Sequence, residues 1–190
     1  MKKSVATLAL AAALFVAFAS PAFASPAFAG RRVAPPIPDI TALMRSAAAR
    51  IHADPRFKHA ILLECDGTPE SGTITTAHGI TQWRIVFSNF AKPQSKFQSV
   101  YIDFTAGAFT KPVGVELPFV GSLPLSPSPT MTLNQAVTLL HKAGYTQPFA
   151  GVSLFKPVLA KTVEPSYVFT FGLATHIAVG TISKKVHQVD

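Results

Sequence analysis

An apolar stripe of helical period followed by three strand-like segments occurs twice along this chain, and that recurrence constrains the fold more than any other feature of the sequence. In the first instance Ile40, Leu43, Met44, Ala47 and Ile51 recur at the spacing of one helix face, and Asp39 stands where it can cap the helix. Asp54-Pro55 stops it, because the residue before a proline is pushed out of the helical region. The segments Phe57–Cys65, Gln82–Ser88 and Phe97–Phe104 follow. In the second instance Thr132 and Gln135 make a capping-box pair, Leu133, Ala136, Val137 and Leu140 form the stripe, and Gly144 ends it. Phe149–Phe155, Tyr167–Leu173 and His176–Ile182 complete the series. From capping residue to first strand the chain advances 18 positions in one case (Asp39 to Phe57) and 17 in the other (Thr132 to Phe149).

The pattern predicts an α+β fold of two helix-plus-antiparallel-sheet (αβββ) halves packed together, with helices over 39–53 and 132–143. The first unit covers 39–107 and the second 132–190, joined by a Pro/Gly-rich connector, 108–131, in which Val113–Val120 has room for a short edge strand. Alternation places Trp83, Ile85 and Phe87 on one side of the middle strand, and Val100, Ile102 and Phe104 on one side of the third. Asp66-Gly67-Thr68-Pro69 and Ser88-Asn89 read as turns between strands. Cys65 is the single cysteine, so packing rather than an intrachain disulfide must hold the fold, with Cys65 itself expected inside a sheet.

Ahead of these units, Lys2 and Lys3 precede an apolar run from Val5 to Phe18, and two Ala-Phe-Ala sites end at Ala24 and Ala29. Residues 1–29 therefore read as a secretory signal peptide cleaved after Ala24 or Ala29, followed by a Pro-rich leader, 30–38, and the product is expected to be periplasmic or secreted. Removal of Lys2 and Lys3 lowers the formal charge from +8 to +6. The remaining cations are scattered, with short pairs at Arg31-Arg32 and Lys184-Lys185, so the charge favours an anionic surface without marking a specific nucleic-acid interface. No apolar run after residue 30 is long enough to span a membrane.

No familiar catalytic pattern accompanies this framework. His52, His59, His78, His141, His176 and His187 contain no His-x-His or His-x-x-x-His pair, and Cys65 has no CxxC partner, so no metal or cofactor is expected. Gly-x-Ser-x-Gly and the phosphate-binding glycine loops are absent. Glu64 and Asp66 fall on one face of a strand, which is compatible with paired-carboxylate chemistry, but Asp66-Gly67 reads first as a turn.

Leu43-Met44-Arg45-Ser46-Ala47-Ala48, Trp83-Arg84-Ile85-Val86-Phe87 and Val100-Tyr101-Ile102-Asp103-Phe104-Thr105-Ala106-Gly107 together resemble the PepSY-like domains of exported bacterial proteins, in which a short helix precedes a three-stranded antiparallel sheet. The resemblance covers 39–107 and extends to 132–186, where Ala178-Val179-Gly180-Thr181-Ile182-Ser183-Lys184-Lys185 departs from the family's terminal strand. It implies a noncatalytic, inhibitory or protein-binding role outside the cytoplasm and supplies no catalytic residue. The doubled arrangement is also similar to secreted β-lactamase-inhibitor proteins, which carry paired cysteines that this chain lacks. Three functional readings follow: a binding or inhibitory protein acting on a macromolecular partner, which is the principal expectation and is not an enzyme; a basic protein that binds anionic lipid or polyanion at the envelope; and an enzyme of unrecognised type. For the first, Phe119 and Val120, set between Pro118 and Pro124, are the expected contact residues.

Overall fold

The two apolar stripes form the two helices, α1 (Ile40–His52) and α2 (Leu133–Lys142), and each buries the residues that its periodicity singles out. At the start of α2, Thr132 accepts from the Gln135 amide at 3.2 Å while the Gln135 side chain accepts from the Thr132 amide at 2.8 Å. Asp39 does not match this: its side chain makes no capping bond, and only its carbonyl receives the Ala42 and Leu43 amides. The structure, a computed structural model, describes residues 39–89, 96–158, 163–172 and 174–189. The expected signal peptide 1–29, the leader 30–38 and Leu173 lie outside the described residues.

The strands are β1 (Ile61–Pro69), β2 (Ile80–Ser88), β3 (Ser99–Thr105), β4 (Ala108–Phe109), β5 (Val113–Val115), β6 (Ser122–Leu123), β7 (Gly151–Pro157), β8 (Ser166–Phe171), β9 (Thr175–Gly180) and β10 (Val186–Val189). They do not make two helix-plus-sheet halves. All ten join one antiparallel sheet in the order β10-β9-β8-β7-β1-β2-β3-β4, with β5 beside β3 and β6 beside β7, so the fold is largely β with two short helices. The join is the pairing of β1 with β7, Glu64 to Gly67 against Phe155 to Val152. Had the halves closed separately, each of these strands would have presented a row of unpaired amides and carbonyls at a sheet edge; pairing them satisfies both rows at once.

Register then sorts the side chains into continuous rows. Ile102, Ile85, Cys65, Leu154, Tyr167 and Val179 line up across six strands, and Phe104, Trp83, Gly67, Val152, Phe169 and Ile177 form the next row on the same face. Both helices contribute to this single core, with Leu43, Met44 and Ile51 from α1 and Ala136, Val137 and Leu140 from α2. The Tyr167 hydroxyl keeps a partner inside it by donating to the Met131 carbonyl at 2.9 Å. The opposite face of the sheet carries the alternate residues.

Asp66-Gly67 is not a turn, since β1 runs through it to Pro69. Gly67 sits directly opposite Trp83, and a Cβ built there lies 2.8 Å from the indole ring and 2.7 Å from a methyl of Ile80. The glycine thus makes room for the aromatic ring of its cross-strand neighbour, a use of glycine in a strand that local sequence does not distinguish from turn chemistry. Gly67→Ala is expected to cost about 1 to 3 kcal/mol through overpacking. Urea unfolding followed by Trp83 fluorescence measures it.

Candidate functional site

Because β1 continues through Asp66, Glu64 and Asp66 project together from the sheet face turned away from the helices, two residues apart on the strand at the centre of the sheet. Asp66 lies in a cross-strand row with Asp103, Arg84 and Ser153, and Glu64 lies in a row with Tyr101, Val86 and Phe155. Arg84 makes a bidentate pair with Asp103 at 2.9 and 3.2 Å and stacks over Tyr101, its guanidinium carbon 4.4 Å from the ring centroid. The Ser153 hydroxyl donates to Asp66 Oδ1 at 2.6 Å, and the Ser122 hydroxyl of β6 donates to Glu64 Oε2, also at 2.6 Å.

The two carboxyls share one half-buried site on this face. Burial first, then the nearby charge of Asp66, push the Glu64 carboxyl up to about 8, against the opposing pull of the Ser122 hydroxyl. At neutral pH the pair therefore holds a proton that an isolated glutamate would have released. Cys65, between them in sequence, points into the core and is fully buried. Burial and the two neighbouring carboxylates raise its thiol well above the ordinary value, which makes it inert packing.

The segment that brings Ser122 to Glu64 is the Pro-rich connector. Its β5 end pairs with β3 and its β6 end pairs with β7, and β1 and β2 lie between those strands, so residues 116–121 cross the width of two strands. At one end Ser99 Oγ donates to the Leu117 carbonyl at 2.7 Å; at the other the Leu125 amide reaches the Leu62 carbonyl at 2.9 Å. Of the expected contact residues, Val120 is 79% exposed and Phe119 is half-buried. Leu117, 73% exposed, belongs with them. Sequence reading passed over it, although it precedes Pro118 just as Phe119 follows it.

The histidines do not converge. His52 Nε2 lies 2.8 Å from the Ala60 carbonyl and ties the end of α1 to the start of β1, while His176 Nδ1 lies 3.3 Å from Thr170 Oγ1. Among the described residues no group of three His, Cys, Asp or Glu side chains is placed to hold a metal ion, and no helix is long and apolar enough to cross a membrane. A shallow cavity of about 370 Å³ between α2 and the β9–β10 turn is lined by Thr130, Gln135, Thr138, Thr181 and Lys184. Gln135 and Thr181 are already committed, to the Thr132 amide and the Pro165 carbonyl, so few of its polar groups face inward unengaged.

A second buried carboxylate, Glu164, has the opposite character. Its Oε2 accepts the Ile182 and Ser183 amides at 2.7 and 2.9 Å and so anchors the β9–β10 turn. Burial opposes its ionisation, but the hydrogen bonds from the Ser183 side chain and the two amides, with the charge of His187, prevail and hold it below the usual value. That stabilisation is complete above the ordinary glutamate range and is lost as pH falls through the depressed value. Glu164→Gln is expected to cost about 1 to 3 kcal/mol at neutral pH and to flatten the acid limb of the stability profile. Denaturant titrations at a series of acid pH values check both. Comparison with protein families, curated proteins and solved structures returned no match.

Proposed function

We propose that this chain is an exported, noncatalytic binding protein that engages a macromolecular partner through the connector segment Leu117–Val120. The observation that carries the reading is the exposure of two large apolar side chains, Leu117 at 73% and Val120 at 79%, on a crossing segment tied down at both ends. Single exposed apolar residues are ordinary on protein surfaces. Two of them flanking Phe119 on an anchored, proline-containing backbone form a contact edge that loses little conformational entropy on binding.

The test uses the mature chain as bait against native envelope material, with cross-linking at the connector. Phe119→Ser and Val120→Ser are each expected to lower capture of the cross-linked partner by at least about fivefold, the exposed Val120→Ser without changing the melting temperature and the half-buried Phe119→Ser with the fold intact. Unchanged capture with an intact fold would remove the site from the connector. Raising the salt is expected to weaken capture only modestly, since the contact is apolar; a steep loss would instead favour attraction of the basic chain to an anionic surface.

A further inference from the structure

The polar groups around the cavity between α2 and the β9–β10 turn differ in what they have left to offer. Gln135 spends its Oε1 on the Thr132 amide at 2.8 Å; a backbone N–H can be met only by the oxygen, so Nε2 and its two protons are fixed at the other end of the group. The Thr138 and Thr181 hydroxyls donate to the Asn134 and Pro165 carbonyls at 2.9 and 2.8 Å and have no second proton to give. Three donors remain, Gln135 Nε2, the Thr130 hydroxyl and the Lys184 ammonium, none of them with a partner among the described residues. No acidic side chain lines the cavity. Its apolar wall is the buried Met131, whose carbonyl accepts from the Tyr167 hydroxyl at 2.9 Å, and the half-buried Leu139.

Lys184 is set at this cavity by a firmly built turn. Its φ is +58°, a region that a residue bearing a side chain enters only where its surroundings impose it. Here the Lys184 amide donates to the Gly180 carbonyl at 3.0 Å, the Gly180 amide donates to the Lys185 carbonyl at 2.9 Å, and Glu164 takes the Ile182 and Ser183 amides. Gly180 leaves room for that carboxylate, since a Cβ there would stand 2.5 Å from Glu164 Oε1. Glycine or asparagine would occupy the left-handed position more easily; lysine there supplies a cation.

We propose that this cavity binds a small monocarboxylate with an apolar body, the carboxylate met by the Lys184 ammonium with Gln135 Nε2 and the Thr130 hydroxyl, and the body resting against Met131 and Leu139. Donors that include a cation, with no acidic group beside them, select an anion. The volume of about 370 Å³ stands at the small end of ligand sites, ~300 to 1,000 Å³, and the apolar wall favours a ligand with a body over a bare inorganic anion. The inference makes no use of the connector and is independent of the binding reading above.

Phenylacetate, phenylacetamide and acetate, each titrated at constant ionic strength into the ¹⁵N-labelled full mature chain, test it. Phenylacetate is expected to move the Gln135, Thr138, Thr181 and Lys184 amides together to saturation, with Kd below about 5 mM. Phenylacetamide, which has the shape without the charge, and acetate, which has the charge without the body, are each expected to bind at least about tenfold more weakly. Lys184→Gln removes an exposed charge and is expected to weaken phenylacetate binding by at least about tenfold. Thr138→Trp, on the exposed side of α2, is expected to fill the cavity and abolish the shifts. In both variants the amides far from the cavity keep their wild-type positions. Equal affinity for phenylacetate and phenylacetamide, a comparison that needs no variant, overturns the proposal. Equal affinity of wild type and Lys184→Gln for phenylacetate does so too, as does the absence of saturable shifts at these four amides up to about 20 mM.

Discussion

Glu64→Gln is expected to make the protein more stable than the wild type by about 3 to 5 kcal/mol at alkaline pH, and to leave the two nearly equal in mild acid. The sign follows from the direction of the shift. Glu64 rises from 4.5 to about 8 on folding, so between those values the folded chain binds a proton that the unfolded chain has released. Stability from this group is fully present below the unfolded value and is lost as pH climbs through the folded one. At ~1.4 kcal/mol for each tenfold difference in proton affinity, the interval amounts to several kcal/mol. Glutamine keeps the shape and the acceptor for Ser122, but it never acquires the charge. Urea titrations at about pH 5, 7 and 9 on both proteins measure the difference. Parallel profiles across that range would show that Glu64 ionises freely in the folded state.

Phe149→Ala is expected to cost about 3 to 5 kcal/mol, the range for removing a fully buried aromatic ring. Phe149 is completely inaccessible and meets Phe169 edge-on with centroids 5.0 Å apart, and Phe171 at 6.2 Å. It also holds two parts of the chain together, since its backbone exchanges hydrogen bonds with Ile74 at 3.0 and 2.8 Å, linking the approach to β2 with the approach to β7. The truncation leaves those bonds possible but empties the space between Phe169 and Phe171, where a rigid sheet can collapse only partly. The loss is read from the denaturant midpoint at unchanged slope. A cost under about 1 kcal/mol would mean that neighbouring rings fill the cavity.

What was legible in the sequence is what depends on neighbours along the chain. The stripes of α1 and α2 are written at helical spacing, the Thr132–Gln135 capping box forms as its residue types dictate, and the alternation of Trp83, Ile85 and Phe87 marks their common face. These features arise from local geometry, where residue type and spacing are sufficient. The same logic misread Asp39, whose side chain leaves its capping role to the backbone.

What only the tertiary structure decided concerns partners far apart in sequence. The pairing of β1 with β7 merges two series of strands into one sheet, because an unpaired strand edge is costly and its partner lies about 90 residues away. That pairing places Asp66 and Glu64 inside a central strand, with Gly67 as the seat for Trp83 rather than a turn. It also sets Ser153 against one carboxyl and brings Ser122 over the other, 87 and 58 residues away along the chain. Residue types alone established that two carboxyls could share a strand face; the burial that makes them hold a proton exists only once the sheet has closed and the connector has crossed it.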